Sequence, residues 1–375
     1  MAGIYVHIPF CNSKCAYCGF YSVPSQQQKT AFLEALRREL AARRDYLKGE
    51  SIGSIYFGGG TPSLLSADEI KAILGQIAAQ FEVLPDAEIT LEANPDTLNP
   101  AYLSDLRKIG VNRLSIGIQS FFDNDLQYLS RRHDSQHAKQ CLQWAKDAGF
   151  ENLTIDLIYG LPTSDAAQWN RNLDCFFQLG LPHLSAYALT LEPNAILTRQ
   201  IAMGKALPVN EEDALRDYEI LCRRATENGF LHYEISNFCQ TRHHAVHNAN
   251  YWNRTPYIGL GPSAHSFDGY SRQWNVANME KYIQQVGLCE EVFEKETLTP
   301  EQSYDEYVMV KLRTHWGIDL KWMAREMGDR FAAFCQKKAT PLVAQGRMSQ
   351  TREFIYLNDS QMLYADGLAA ELFWD

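Results

Sequence analysis

The stretch IYVHIPFCNSKCAYCGF, residues 4–20, joins two unlike halves: a β-branched and aromatic run, then cysteines at C-x3-C-x2-C spacing, Cys11, Cys15 and Cys18. The run lacks a basic leader and passes straight into the cysteines, so it reads as a buried strand and not a signal peptide. The thiols then stand just past the carboxyl end of that strand. Working outward, the same unit recurs. Short apolar runs at 4–8, 54–57, 88–91, 113–118, 153–158 and 184–189 are each expected to be strands buried on both faces. Between them lie stretches of helical period. TAFLEALRRELAARRDYL starts at Thr30, SADEIKAILGQIAAQF opens at Ser66 with an S-x-x-E capping box, and HAKQCLQWAKDAGF ends near a capping Gly149. Six βα units in tandem make an α/β fold with a parallel sheet and right-handed crossovers. Either an open doubly wound sheet or a barrel short of eight units satisfies the pattern.

Polar residues gather where these strands end. GGGTPS (58–63) follows the second, Glu92 and Asn94 the third, Gln119 and Ser120 the fourth, and Asp156 lies near the end of the fifth. Each alone could be a cap or a turn former. Together they share the rim where parallel α/β folds bind ligands, which points to one composite site.

Composition narrows the classes. The 375 residues are 46% hydrophobic and carry a formal net charge of −10, which suits a large core and repels a phosphate backbone, so nucleic acid is not an expected partner. No run of 18 apolar residues is present, and no transmembrane segment is expected. Nine cysteines without an export signal point to a reducing, cytoplasmic setting. Six of them, Cys141, Cys175, Cys222, Cys239, Cys289 and Cys335, stand singly and read as small buried hydrophobes.

The clustered three differ. Three thiolates close a zinc site only if His7 or a distant cysteine adds a fourth ligand. In an iron-sulfur cube they would leave one iron open. Phe10, Tyr17, Phe20 and Tyr21 around the loop form a candidate apolar sheath, which keeps water from a cluster and favours a low potential.

The three-cysteine loop after the first strand, GGGTPS after the second and the six-unit repeat together resemble the radical S-adenosylmethionine superfamily over roughly the first 240 residues. The resemblance implies a partial (β/α)6 barrel, a 4Fe-4S cluster on Cys11, Cys15 and Cys18, and S-adenosylmethionine on the open iron. IYVHIPFC, IYFGGGTPSLL, RLSIGIQSF and NLTIDLIYGLP look like the branch that holds the oxygen-independent coproporphyrinogen III dehydrogenases and the HemW haem chaperones. By that likeness Tyr5, Gly59, Gly60, Thr61 and Glu92 would line one cofactor molecule. Gln119, Arg131 and Asp156 would fall where a second is held. Tyr5 has an alternative as ordinary core, and Arg131, in LSRRHD, as a solvated surface cation.

Two features lean toward the chaperones. The dehydrogenase pattern continues C-x-C, where this chain has Phe20, and that pattern carries an N-terminal extension, where ten residues precede Cys11 here. RHHAVHNANYWN (242–253) contains HNANYW, similar to the H-N-x-x-Y-W string associated with haem in HemW, which would make His247 the axial ligand. A zinc site from His243, His244, His247 and Cys239, or a loop anchored by Tyr251 and Trp252, would also fit those residues. Helices return from Glu301, with a cap expected at Asp319. The expected division is a core domain over 1–240, a connecting region over 241–300 and a small, mainly helical C-terminal domain over 301–375 that covers the substrate rim or meets a partner. The resemblance implies a haem carrier with haem, acceptor haem proteins such as respiratory ones and a second copy of the chain as partners. A radical decarboxylase of coproporphyrinogen III is the alternative.

Overall fold

In the computed structural model, which describes residues 1–374, the six expected strands are β1 (Ala2–Ile8), β2 (Ile52–Gly59), β3 (Val83–Ala93), β4 (Arg113–Gln119), β5 (Asn152–Tyr159) and β6 (His183–Ala188). They pair in parallel and lie in the sheet in sequence order. A doubly wound sheet reverses its strand order at a switch point. Here there is no reversal, so right-handed crossovers all fall on one face and leave the other to line a lumen. This is the partial-barrel solution.

Both faces are buried, as expected, but they are unlike. Ile4, Val6, Ile8, Ile55, Phe57, Leu114, Ile116, Leu153, Ile155 and Leu184 belong to the main hydrophobic core under the helices. The alternate positions are polar yet still buried: Ser54, Glu88, Thr90, Arg113, Ser115, Thr154, His183 and Ser185. Parallel register aligns them in layers, with Gly3 beside Ser54 and Ser54 beside Glu88, and with Tyr5 beside Tyr56 and Tyr56 beside Thr90. Period-2 alternation thus separates an apolar outer face from a hydrogen-bonding interior. Arg113 donates to Thr154 Oγ1, and His183 bridges Thr154 Oγ1 (3.0 Å) and Tyr233 OH (2.8 Å). Buried polar groups need such partners.

The helices begin where local chemistry predicts. Ser66 and Glu69 close the capping box of helix Ala67–Gln80, and Asp319 accepts from Trp322 N at 2.9 Å. Helix Ser135–Asp147 is followed by Gly149 at φ 84°, a left-handed conformation open to glycine at little cost.

The sheet runs beyond six strands. β7 (Leu231–Glu234) and β8 (Asn237–Cys239) add an antiparallel pair beside β6, while β9 (Tyr257–Leu260) pairs in parallel with β1 and leads to β10 (His265–Phe267), β11 (Ser271–Asn275) and β12 (Phe293–Thr297). A buried ionic network holds this second flank. Glu39, on helix Lys29–Ala42, accepts from Arg43 (3.2 Å), Gly261 N (2.8 Å), Asn275 Nδ2 (2.6 Å) and Tyr282 OH (2.7 Å). Arg43 in turn donates to Gly259 O, Ser266 and Gln273. Glu39→Ala would strand a buried guanidinium and is expected to cost about 3–5 kcal/mol, read as an earlier urea-unfolding midpoint.

A separate hydrophobic core, including Tyr304, Tyr307, Phe331 and Leu372, builds the C-terminal region around helices Pro300–Leu312 and Asp329–Ala344. It meets the barrel away from the rim. Arg254 pairs with Glu306 at 3.0 Å, Lys311 donates to Asn253, and His315 N donates to Tyr233 O.

Candidate cluster and cofactor site

A cavity of about 350 Å³ opens at the carboxyl ends of the strands. Its wall includes Cys11, Cys15, Cys18, Gly59, Gly60, Thr61, Glu92, Asn94, Gln119, Arg131 and Asp156. Residues that sequence reasoning drew from five separate βα units thus border one space. Among the described residues none after Glu192 lines it. Ser120 turns away and donates to Asp125 at 2.7 Å.

The cysteine loop is tied to the rim by donors aimed at sulfur. Thr61 Oγ1 stands 3.6 Å from Cys11 Sγ, and Arg131 Nη1 stands 3.3 Å from Cys15 Sγ. Arg131 is no solvated surface cation: its other nitrogen donates to Asn94 Oδ1 (2.6 Å) and Gly117 O (2.8 Å), and Asn94 Nδ2 donates to Thr61 Oγ1 (3.0 Å). Burial raises the Cys18 thiol, with Cys15 and Cys11 adding to the effect.

His7 does not supply a fourth ligand in this arrangement. Its Nδ1 lies 3.0 Å from Tyr5 OH and its Nε2 3.0 Å from Tyr21 O, and burial lowers its pKa to about 4. Among the described residues no three His, Cys, Asp or Glu converge on a point that would hold a bare ion. The HNANYW histidine has no place in a zinc site either, as shown below. The aromatic sheath is partial. Phe10 is fully buried against Phe32, but Phe20, expected as shielding, is 69% exposed at the cavity mouth.

The opposite wall is a backbone cradle. A Cβ on Gly60 would stand 2.6 Å from Phe10 O, and Gly59 adopts φ 108°, so both positions require glycine. Glu92, inside β3, accepts from Tyr56 OH at 2.7 Å and from Gly59 N at 3.2 Å. Burial raises its pKa to about 7, against the pull of the Tyr56 bond. Asp156 accepts from Ser115 Oγ at 3.2 Å, and burial raises its carboxyl as well. Gln119 has φ 66°, an uncommon conformation for a residue with a side chain.

Three thiols with one hydrogen-bonded from an arginine, glycine backbone and a proton-accepting carboxylate suit a 4Fe-4S cluster beside a ligand that carries ammonium and hydroxyl groups.

Two residues fall elsewhere. Tyr5 lies below the cavity, bonded to His7 and stacked at 6.2 Å on Tyr56, so it supports the site from the interior. His247 departs further from expectation. It is 2% exposed, on helix Val246–Trp252, at the amino ends of the strands. Its Nδ1 lies 2.8 Å from Ser54 Oγ and its Nε2 3.0 Å from Tyr251 OH. Both ring nitrogens thus bond within the barrel.

A model of the Radical SAM superfamily matches residues 5–174, and a model of the HemN C-terminal domain matches residues 298–364. The protein named Heme chaperone HemW of Mycobacterium tuberculosis is 32% identical over 99% of this chain and 94% of its own length. That of Bacillus subtilis is 31% identical over 95% of each. The chain belongs to the HemW family. Its radical S-adenosylmethionine core and HemN-type C-terminal domain are those of the family, and its fold matches that of Escherichia coli HemN, titled coproporphyrinogen III oxidase and a radical SAM enzyme. The TM-score there is 0.85 at 24% identity, over 99% of this chain and 90% of that one. Among the described residues this HemW-family chain carries no helix long and apolar enough to cross a membrane.

Sequence reasoning missed Tyr56, Ser115 and Tyr187. Tyr56 holds Glu92, Ser115 holds Asp156, and Tyr187 borders the cavity. The available signal is parity. Tyr56 and Ser115 each stand an even number of positions from a residue placed at the rim, Tyr56 from Gly58 and Ser115 from Gln119, whereas the sixth strand offered no such marker for Tyr187.

Proposed function

We propose that the protein is a haem chaperone that carries a 4Fe-4S cluster and S-adenosylmethionine and delivers haem to acceptor haem proteins. The observation that carries this reading is the match along nearly the whole chain to proteins named haem chaperones, together with Phe20 at the cavity mouth where the dehydrogenase pattern has cysteine. Cys11, Cys15 and Cys18 would hold the cluster, with Thr61 beside the Cys11 sulfur and Arg131 beside that of Cys15. When bound, the cluster supplies one-electron reducing power and an open iron for the amino acid end of S-adenosylmethionine. Gly59 and Gly60 let that ligand approach the backbone. Glu92 accepts a proton-bearing group from it, and Asp156 and Gln119 face the same space from the far wall. Phe20 has no proton to give and no sulfur to ligate, so a decarboxylation that needs a fourth thiol at this place has no donor here.

The test is anaerobic. Reconstituted protein is titrated with haem, mixed with an apo haem protein as acceptor, and separately supplied with coproporphyrinogen III, a reductant and S-adenosylmethionine. Haem binding followed by transfer, with no protoporphyrinogen formed, is expected. Turnover of coproporphyrinogen, or failure to bind haem, overturns the reading.

A further inference from the structure

The strands beyond the first six build a second, smaller cleft. β10 and β11 pair with Phe267 opposite Arg272, and Tyr257 of β9 lies opposite Phe267, so one face of this antiparallel ribbon carries Tyr257, Phe267 and Arg272 in a row. His265, two positions from Phe267, shares that face. Helix Pro300–Leu312 of the C-terminal region borders the cleft with Glu306 and Val310, one turn apart, and helix Val246–Trp252 borders it with Tyr251 and Trp252. The space enclosed is about 170 Å³.

Its walls are aromatic and one corner is cationic. Tyr251 meets Tyr257 edge-on at 4.7 Å between centroids, and the Arg254 guanidinium lies over the Phe267 ring at 5.0 Å. Arg254 and Arg272 both pair with the Glu306 carboxylate, at 3.0 and 2.9 Å. Two guanidinium groups on one carboxylate leave a positive charge unmatched, and Glu296, opposite Arg272 on β12, makes no ion pair with it. Arg254 is engaged further by Ser303 Oγ at 2.9 Å, and its side chain is 10% exposed. Arg272 is 41% exposed and spends one nitrogen on Glu306, so its other N–H groups are open. Among the described residues the His265 ring nitrogens and the Tyr257 hydroxyl also have no hydrogen-bond partner. Donors that the fold leaves unused thus converge on one aromatic-walled space, the usual make-up of a ligand site.

We propose that this cleft seats the carboxylate-bearing edge of haem, with Arg272 and His265 donating to a propionate and Trp252 and Phe267 against the porphyrin rim. Haem is a flat apolar ring whose two carboxylates stand together at one edge, and a guanidinium fork matches a carboxylate in two places at once. The volume takes that edge and leaves the rest of the ring outside the cleft. The proposal rests on the reading of the protein as a haem chaperone and leaves His247 as the axial ligand expected from the sequence. It also gives the C-terminal region a part in holding the cargo, because Glu306 on helix Pro300–Leu312 fixes both arginines.

The experiment titrates wild type, Arg272→Ala, Arg272→Lys and His265→Ala with haem and, in the same detergent, with haem dimethyl ester, in which both propionates are capped. Affinity is read from the Soret band. Arg272→Ala is expected to weaken haem binding roughly tenfold, the scale of one lost charge-assisted hydrogen bond, and His265→Ala roughly threefold. Arg272→Lys should fall between wild type and Arg272→Ala, since it keeps the charge without the fork. The ester should bind wild type about as weakly as haem binds Arg272→Ala, and Arg272→Ala should weaken it no further. A merely structural role would weaken haem and ester alike. S-adenosylmethionine binding should match wild type in every variant, because the cavity at the rim shares no lining residue with this cleft. If Arg272→Ala fails to fold, His265→Ala and the two ligands on wild type carry the comparison. Haem and ester bound equally by wild type, or haem bound by the alanine variants as by wild type, overturns the inference alone. Equal losses of haem and ester in the variants also overturn it. Wild-type protein that binds no haem refutes the chaperone reading, and the inference falls with it.

Discussion

Cys15→Ala protein, reconstituted anaerobically with iron and sulfide, is expected to fall from roughly four bound irons per chain to nearly none, with the brown cluster absorbance lost. The effect should be close to all-or-none because the structure offers no replacement ligand. His7 has both ring nitrogens engaged, and the remaining cysteines that line the cavity are Cys11 and Cys18. Far-UV circular dichroism should be unchanged, since Cys15 lies in a loop between β1 and the first helix. Arg131→Ala tests the same corner more gently. It removes the guanidinium from Cys15, Asn94 and Gly117 together and should leave a cluster that assembles more slowly.

Glu92→Ala is expected to weaken S-adenosylmethionine binding by about a hundredfold, since a buried acceptor that meets a charged or hydroxyl group contributes up to about 3 kcal/mol. Wild-type binding should also fade as pH drops through about 7, where this carboxyl takes up a proton and loses half its acceptor capacity. Stability responds with the opposite sign. A carboxyl whose pKa is raised by folding contributes stability that is present below its unfolded pKa and is lost as pH rises through the folded value, here about 7. Glu92→Gln should therefore be as stable as wild type or more so at pH values above about 8, yet bind the cofactor less well. A variant that gains stability while losing affinity marks a residue kept for its site and not for the fold.

The parallel α/β repeat and its rim were legible in the sequence because βα units recur, and each strand ends in residues that no core needs: three cysteines, three glycines, Glu92, Gln119. Strand order was not legible, since doubly wound and barrel folds share the same local pattern and differ only in how crossovers are placed. The interior was misread for a related reason. Tyr56, Ser115 and Thr154 look like ordinary β-formers, and only the register of neighbouring strands shows that they line a polar lumen. Arg131 was placed at the site by family likeness, while its contacts with Cys15 and Asn94 bridge sequence separations that no local pattern encodes. The surroundings of His247 were equally hidden. A histidine between aromatic residues suits a haem ligand and a buried stack equally well, and its bond to Ser54 spans a sequence separation that no local pattern encodes.

The account depends on a cluster held by three thiols with one iron left to the cofactor. Electron-nuclear double resonance on the reduced, reconstituted protein, with S-adenosylmethionine carrying a nitrogen-15 amino group, tests this directly. A hyperfine coupling from that nitrogen is predicted, present in wild type and absent without the cofactor. No coupling at saturating cofactor, with a fourth side chain of the protein found on the iron, would contradict it.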